Sequence, residues 1–206
     1  GITQSLAGRT ATLKLLPLGF NEVPGGLSHE LELVLFRGFF PAVHAKHLKP
    51  YITYRSYYET YIQRDVRQII NIRDMDLFHK FMQLCAGRIG ELLNYSSMAN
   101  ETGVSVSTIK EWISVLQASY ILYLLPPYHE NINKRLVKTP KLYFYDVGFA
   151  AYLLGIEDPK YIERDPKRGA LFENMIVSEF LKQRFNEGKD MNLYFYRDRS
   201  QNEVDL

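Results

Sequence analysis

The chain has 206 residues, of which 46% are hydrophobic, and its formal net charge at pH 7 is only +2. These values exclude a disordered or strongly basic chain, so any contact with nucleic acid must depend on local clusters of charge. The one cysteine, Cys85, excludes an internal disulfide and is expected to be a small buried residue. No apolar run reaches about 18 residues and no secretory signal opens the chain, which predicts a cytoplasmic protein without a membrane partner.

The first ninety residues are predicted to be mainly helical. The β-rich stretch Ala11–Leu16 predicts one strand, and the segment His29–Phe36 predicts a helix that Gly38 ends. Apolar spacings of three and four over Tyr51–Ile72 predict a long amphipathic helix whose tyrosines form a packing face. The same periodicity over Leu77–Cys85 predicts another helix.

The middle of the chain has the spacing of a helix-turn-helix. Ala99 is small enough to let two helices approach, and Gly103 supplies the positive φ of a sharp turn. Ser105 is a predicted N-cap of the second helix, whose Ile109 and Trp112 face the first helix. The early turns of such a helix reach base edges when the helix enters a major groove. The candidate nucleic-acid-binding residues there are Ser107, Thr108 and Lys110.

A basic β-hairpin is predicted to follow. Strands at Tyr120–Leu125 and Lys141–Tyr145 flank a loop, and the segment Asn131–Lys141 contains four basic and no acidic residues. Those basic residues are Lys134, Arg135, Lys138 and Lys141. They would bind phosphates without sequence preference and complete a winged helix. Winged helices also dock proteins, and Glu111 on the second helix favours that alternative, so double-stranded DNA and a protein partner both stay open.

A polar linker separates this region from the last part of the chain. Asp146 is the predicted N-cap of a short helix that Gly155 ends, and the breaker-rich segment Glu157–Gly169 predicts a domain boundary. A helix over Ala170–Gly188 is predicted to follow. Its predicted buried residues are Phe172, Met175, Ile176 and Phe180.

Acidic residues on the last elements form a candidate metal site. Glu203 and Asp205 alternate along the final strand and therefore point to the same face. A helix glutamate such as Glu173 and a strand aspartate such as Asp205 can share Mg²⁺, as nuclease sites do. The alternative is that these acids lie in water on the surface of the protein and bind no metal. Arg197 and Asp198 are predicted to shape the turn before the last strand, with nucleic-acid contact by Arg197 as the alternative.

Several segments together resemble one prokaryotic family. They are "GRTATLKLLPLGFNE", "RGFFP", "YYETYIQRDVR", "KLYFYDVGFAAYLLG", "FENMIVSEFL" and "YFYRDRSQNEVDL". In this order they are similar to AAA-type ATP-binding proteins with a C-terminal domain of unknown function. The resemblance implies a helix-dominated α+β chain in three parts. These are the last ATPase strand with helical lid at 1–75, a winged helix-turn-helix at 76–157, and an incomplete PD-(D/E)xK nuclease-like α/β unit at 158–206.

The resemblance also implies what the chain lacks. It contains no G-x-x-x-x-G-K-[ST] motif, so we expect the nucleotide site to lie before Gly1 and this fragment to bind no cofactor. ATP and Mg²⁺ are implied for the intact protein, where Arg64 is the nucleotide-sensing candidate and an ion pair with Asp65 is the alternative. Glu173 and Asp205 match the helix and strand acids of the nuclease-like fold, whose next strand would follow residue 206.

The leading hypothesis is the C-terminal region of an AAA-type ATP-binding protein. It would couple nucleotide state to contact with DNA or a protein partner, without catalysis of its own. The first alternative is a metal-dependent nuclease whose active site is completed by residues beyond 206. The second alternative is a protein-interaction scaffold. Among the partners, a second copy of the chain in a homo-oligomer also stays open.

Overall fold

The computed structural model describes residues 13–24, 30–46, 48–66, 72, 74–128, 139–198 and 202–206. Helices make up most of this part, and its sheets are small and antiparallel, which confirms the predicted helix-dominated α+β class. The helices are α1 (Leu31–Arg37), α2 (Pro41–Ala45), α3 (Pro50–Tyr57), α4 (Met75–Gly87), α5 (Tyr95–Thr102), α6 (Val106–Ala118), α7 (Val147–Leu153), α8 (Pro159–Ile162) and α9 (Arg168–Asn186). The strands are β1 (Leu122–Leu125), β2 (Lys141–Phe144), β3 (Tyr196–Arg197) and β4 (Glu203–Val204).

The start of the described chain differs from the sequence prediction. The stretch Leu13–Leu16 is irregular, and Leu15 is 92% exposed. A strand needs a neighbour for its backbone groups, and no backbone hydrogen bond joins this stretch to another described residue. The predicted strand is therefore wrong over Leu13–Leu16, while Ala11 and Thr12 lie outside the described residues. The next prediction is confirmed, since Gly38 ends α1 with φ at 56°.

The tyrosines of α3 form the predicted packing face. Tyr54 is 1% exposed, and the Tyr57 ring lies edge-on to Phe149 at 5.3 Å and to Phe40 at 4.9 Å. Such edge-to-face contacts add to the burial of apolar area. After α3 the chain continues into a π-helical segment, Tyr58–Val66, so the predicted long helix changes its winding midway.

The helix-turn-helix geometry follows the sequence closely. Gly103 lies between α5 and α6 in the left-handed conformation, with φ at 85° and ψ at 28°. Ser105 caps α6 by accepting a hydrogen bond from Thr108 N–H at 3.1 Å. The Trp112 ring of α6 packs on α4, 5.0 Å from the Phe78 ring. The glycine turn therefore joins α5 to α6, and the buried indole holds α6 against α4.

A small sheet supports these helices. β1 and β2 pair antiparallel with Leu122 opposite Phe144, as the sequence predicts. Ile89 and Leu92, which follow α4, bridge to the other side of β2.

Cys85 at the end of α4 is fully buried as predicted, and burial raises the pKa of its thiol above the ordinary range. No helix in the described parts of the chain combines the length and apolar character that a membrane span needs.

Helix α9 buries only part of the predicted face, since Met175 is buried and Ile176 is half-buried. Phe172 and Phe180 are 43% and 48% exposed, so their predicted burial is wrong. Beside apolar residues, the inward face contains three polar residues at spacings of four, which are Asn174, Ser178 and Lys182. Asn174 accepts a hydrogen bond from Phe144 N–H at 2.7 Å and donates one to its carbonyl at 3.0 Å. The end of β2 carries backbone groups that need partners, and α9 supplies them with polar side chains.

A partly buried histidine makes this core sensitive to acid. The His79 ring on α4 lies edge-on to Tyr58 at 4.9 Å, its Nδ1 has no hydrogen-bond partner, and burial lowers its pKa below 6.5. The unfolded chain therefore binds a proton more readily, and the stabilising contribution of His79 is lost as pH falls below about 6.5.

We expect His79→Phe, which keeps the ring contact, to become more stable than the wild type as pH falls from 7 to 5. Urea unfolding followed by circular dichroism at each pH measures the difference. A difference that does not change with pH would contradict the assignment to His79.

Candidate functional site

A buried lysine lies among three carboxylates at the start of β2. The Nζ atom of Lys141 is 2.5 Å from Glu203 Oε1, 2.8 Å from Asp205 Oδ1 and 3.6 Å from Glu173 Oε1. The lysine side chain is only 3% exposed, and the Phe195 ring centre lies 5.4 Å from its ammonium. One ammonium is therefore shared by acids from α9 and from the last strand.

The closing hairpin brings two of these acids to the same side. Asp198 accepts a hydrogen bond from Asn202 N–H at 2.9 Å, so it shapes the turn between β3 and β4 as predicted. Because strand side chains alternate, Glu203 and Asp205 reach the lysine from one face. Arg197 Nε lies 3.6 Å from Glu203 Oε2, on the paired strand. We refer to β3, β4 and residues 205–206 as the acidic hairpin.

Glu173 reaches the lysine from the second turn of α9. The Tyr143 hydroxyl donates a hydrogen bond to Glu173 Oε1, and Gly90 leaves room for this carboxylate, because a Cβ there would lie 3.0 Å from Oε1. Burial, and then the hydrogen bond to Glu173, raise the pKa of Tyr143 well above its ordinary value. Tyr143 therefore stays a hydrogen-bond donor at neutral pH.

The lysine is charged at neutral pH. Burial by itself lowers the pKa of Lys141, but hydrogen bonds to Asp205 and Glu203 and the negative charges of Glu173 and Asp205 together raise it above its ordinary value. The four groups thus form an ion cluster in which a positive charge is enclosed by acids. A buried charge with several partners is costly to separate from any of them.

This arrangement does not fit a divalent cation. Each acid turns an oxygen toward the Lys141 ammonium, which occupies the point where those oxygens converge. In the described ranges no group of three or more His, Cys, Asp or Glu residues is arranged to hold a metal ion. Glu173 and Asp205 do lie close to the same point, as predicted, but they surround an ammonium. A role as magnesium ligands in a longer polypeptide stays a prediction.

The predicted nucleic-acid-binding residues of α6 lie together at its start. Ser107 and Lys110 are exposed and Thr108 is half-buried. The hydroxyls of Ser107 and Thr108 lie 2.7 Å and 2.8 Å from the Ser105 hydroxyl, and Lys110 Nζ is 5.7 Å from the centre of the Tyr95 ring. The first two turns of α6 therefore carry two hydroxyl groups and one exposed lysine.

Of the four predicted wing residues, the structure describes Lys141 alone. Lys134, Arg135 and Lys138 lie outside the described residues. Lys141 does not project into solvent, which contradicts its predicted place on an exposed wing, because the acidic hairpin covers its ammonium. Arg64 is exposed in the π-helical segment after α3, and its nucleotide-sensing role stays a prediction.

Sequence reasoning missed the contact between Lys141 and the acids. One signal was present, because Lys141 opens a strand, "KLYF", whose other residues are apolar or aromatic and whose positions are all buried. A charged group in a buried strand needs a partner of opposite charge. The chain position of that partner could not be read from the strand itself.

Two family models match the chain. One, described as Domain of unknown function (DUF8612), covers residues 28–160, and the other, Domain of unknown function (DUF4143), covers residues 168–206. The uncharacterized proteins Rv2008c of Mycobacterium tuberculosis and Mb2031c of Mycobacterium bovis are each 28% identical to the chain over 205 residues. The alignment covers 99% of this chain and 45% of each relative, so the chain spans about half the length of these curated relatives. No solved structure matches it.

Proposed function

Since this chain belongs to the family described as Domain of unknown function (DUF8612), we propose its function from the surface of α6. In this proposal the chain contacts duplex DNA without catalysis of its own, as part of a larger AAA-type ATP-binding protein. The observation that carries the proposal is the exposed start of α6 beyond the turn at Gly103, with Ser107 and Lys110 on its surface.

The geometry of α6 supports contact with DNA better than it supports a catalytic role. Helix-turn-helix proteins place the N-terminal residues of the second helix against base edges, and the exposed residues of α6 lie at that end. The antiparallel hairpin β1–β2 comes next, and the connection between its strands carries Lys134, Arg135 and Lys138. Basic residues there would add phosphate contacts. Together these elements have the order of a winged helix.

Coupling to a nucleotide state is supported by the surroundings of the chain in its relatives. The C-terminal match is to a domain found in AAA-ATPase-associated proteins. The matched relatives are more than twice as long as the aligned region, which leaves room for an ATPase part elsewhere in them. The predicted boundaries at residues 75 and 157 belong to this proposal.

Fluorescence-anisotropy titration with labelled duplex DNA at several salt concentrations tests the proposal. We expect the logarithm of the binding constant to fall linearly with the logarithm of the salt concentration, because bound phosphates release counterions. A binding constant that is indifferent to salt, or the absence of binding at low salt, would remove the DNA reading and leave a protein partner as the alternative.

Lys110→Ala is the substitution that tests the α6 surface. We expect it to weaken DNA binding by about fivefold, because one basic contact at the start of α6 is lost. The control is the same titration of Lys189→Ala. Lys189 pairs with Glu187 near the end of α9, so this substitution also removes one exposed positive charge, but away from α6. Equal losses in the two variants would mean that only net charge matters.

A metal-dependent nuclease is less well supported. Glu173 and Asp205 converge, which is what that alternative needs, but the Lys141 ammonium lies between them. The assay for it is Mg²⁺- or Mn²⁺-dependent cleavage by a longer polypeptide, with Asp205→Ala as the comparison. Equal cleavage by the variant would exclude these acids as the site.

A further inference from the structure

The acidic hairpin covers a lysine that belongs to the basic segment of the predicted wing. Lys141 is the last of its four basic residues and the first residue of β2. Its ammonium contacts carboxylate oxygens of Glu203 and Asp205 at 2.5 Å and 2.8 Å, which are hydrogen-bonding distances. Carboxylate and phosphate oxygens are alternative acceptors for the same lysine donor.

We propose that the acidic hairpin is an autoinhibitory cover, in which Glu203 and Asp205 occupy Lys141 in place of nucleic-acid phosphates. Release of the hairpin exposes the ammonium and adds one phosphate contact at the start of β2. This inference rests on the proposed function, since it concerns the regulation of the same DNA-contacting surface.

The hairpin that carries two of the three acids is short, and its outer side is exposed. Among the described residues, β3 and β4 pair at two positions, and hydrogen bonds between Asp198 and Asn202 join the two arms next to them. Val204 is 55% exposed, so the hairpin buries little apolar area on its outer side. The Asp205 side chain is 53% exposed, and solvent screens its attraction for the lysine.

Once the hairpin is released, the Lys141 ammonium keeps only one of its three acidic partners. Of its three acids only Glu173, at 3.6 Å, belongs to another element, and the Tyr143 hydroxyl already donates a hydrogen bond to that carboxylate. The released ammonium would therefore lack close acceptors among these groups. A desolvated lysine that loses its acceptors favours a new anionic partner.

The test compares DNA binding of two double variants with equal charge. Glu203→Gln/Asp205→Asn removes the cover, and Asp158→Asn/Glu187→Gln removes two acids that pair with exposed lysines elsewhere. We expect the first variant to bind duplex DNA about threefold to fivefold more tightly than the second, with a salt slope steeper by about 0.9. Adding Lys141→Met to the first variant should abolish that extra gain.

Hydrogen exchange followed by mass spectrometry gives a readout that is independent of DNA. We expect Lys141→Met to raise exchange at residues 203–205, with the protection of α6 unchanged. Asp205→Asn alone is the milder variant if circular dichroism shows the double variant to be unfolded, and a smaller gain in affinity is expected for it.

The outcomes separate the two proposals. DNA binding by the wild type with equal gains in both double variants, or unchanged exchange in Lys141→Met, would overturn the cover and leave the proposed function intact. Absence of DNA binding in every variant would overturn the proposed function and the cover with it.

Discussion

Gly148→Ala is expected to lower the free energy of unfolding by about 3 kcal/mol, because no space exists for a methyl group at this position. A Cβ on Gly148 would lie 2.5 Å from the Tyr54 hydroxyl oxygen, 2.7 Å from Gly38 N and 2.8 Å from Gly38 Cα. Two of these atoms belong to the backbone and cannot rotate away. The chain segments around Gly38 and α7 would have to separate to admit the methyl group.

Gly169→Ala is the matched control for this substitution. Gly148 and Gly169 are both the second residue of a helix, α7 and α9 respectively. A Cβ on Gly169 would meet nothing within 4 Å, so we expect alanine there to raise the free energy of unfolding by about 0.5 kcal/mol through its higher helix propensity. Urea unfolding curves of the two variants measure both effects. A similar loss at both positions would show that packing against Gly38 is not the cause.

Asp146→Ala is expected to destabilise the protein by about 4 kcal/mol, because two buried N–H groups lose their acceptor. Asp146 is 3% exposed. Its Oδ1 accepts a hydrogen bond from Phe149 N–H at 2.8 Å, which is the predicted cap of α7, and its Oδ2 accepts one from Phe39 N–H at 2.7 Å. Burial raises the pKa of this carboxyl group, and a hydrogen bond with Tyr54, the two backbone donors and the charge of Lys182 oppose that rise.

Asp74→Ala separates the capping effect from the burial effect. Asp74 also accepts two backbone hydrogen bonds, from Asp76 N–H and Leu77 N–H at the start of α4, but in an exposed setting. Water replaces the lost acceptor there, so we expect a loss of about 1 kcal/mol, typical of an N-cap. Chemical denaturation compares the two variants. If Asp146→Ala cost no more than Asp74→Ala, the contact with Phe39 would contribute nothing.

Several features follow from local sequence alone. The left-handed turn at Gly103, the caps by Ser105 and Asp146, and the helix end at Gly38 were all predicted correctly. Each depends on backbone groups within about four residues, where only a few residue types satisfy the required φ or accept the free N–H groups. The same reasoning predicted the turn at Asp198 and the common face of Glu203 and Asp205.

Other features depend on which distant segments meet. The sequence identified Lys141, Glu203 and Asp205 but not their contact, since 64 residues separate Lys141 from Asp205. The second role of Asp146, which binds a backbone N–H 107 residues away, was equally hidden. The exposure of Phe172 was decided by β2, whose backbone groups needed the polar side of α9. Caps and turns depend on residues that are close along the chain, so the sequence predicts them. The partners of buried charges and buried polar groups come from distant segments, so only the tertiary fold decides which groups pair.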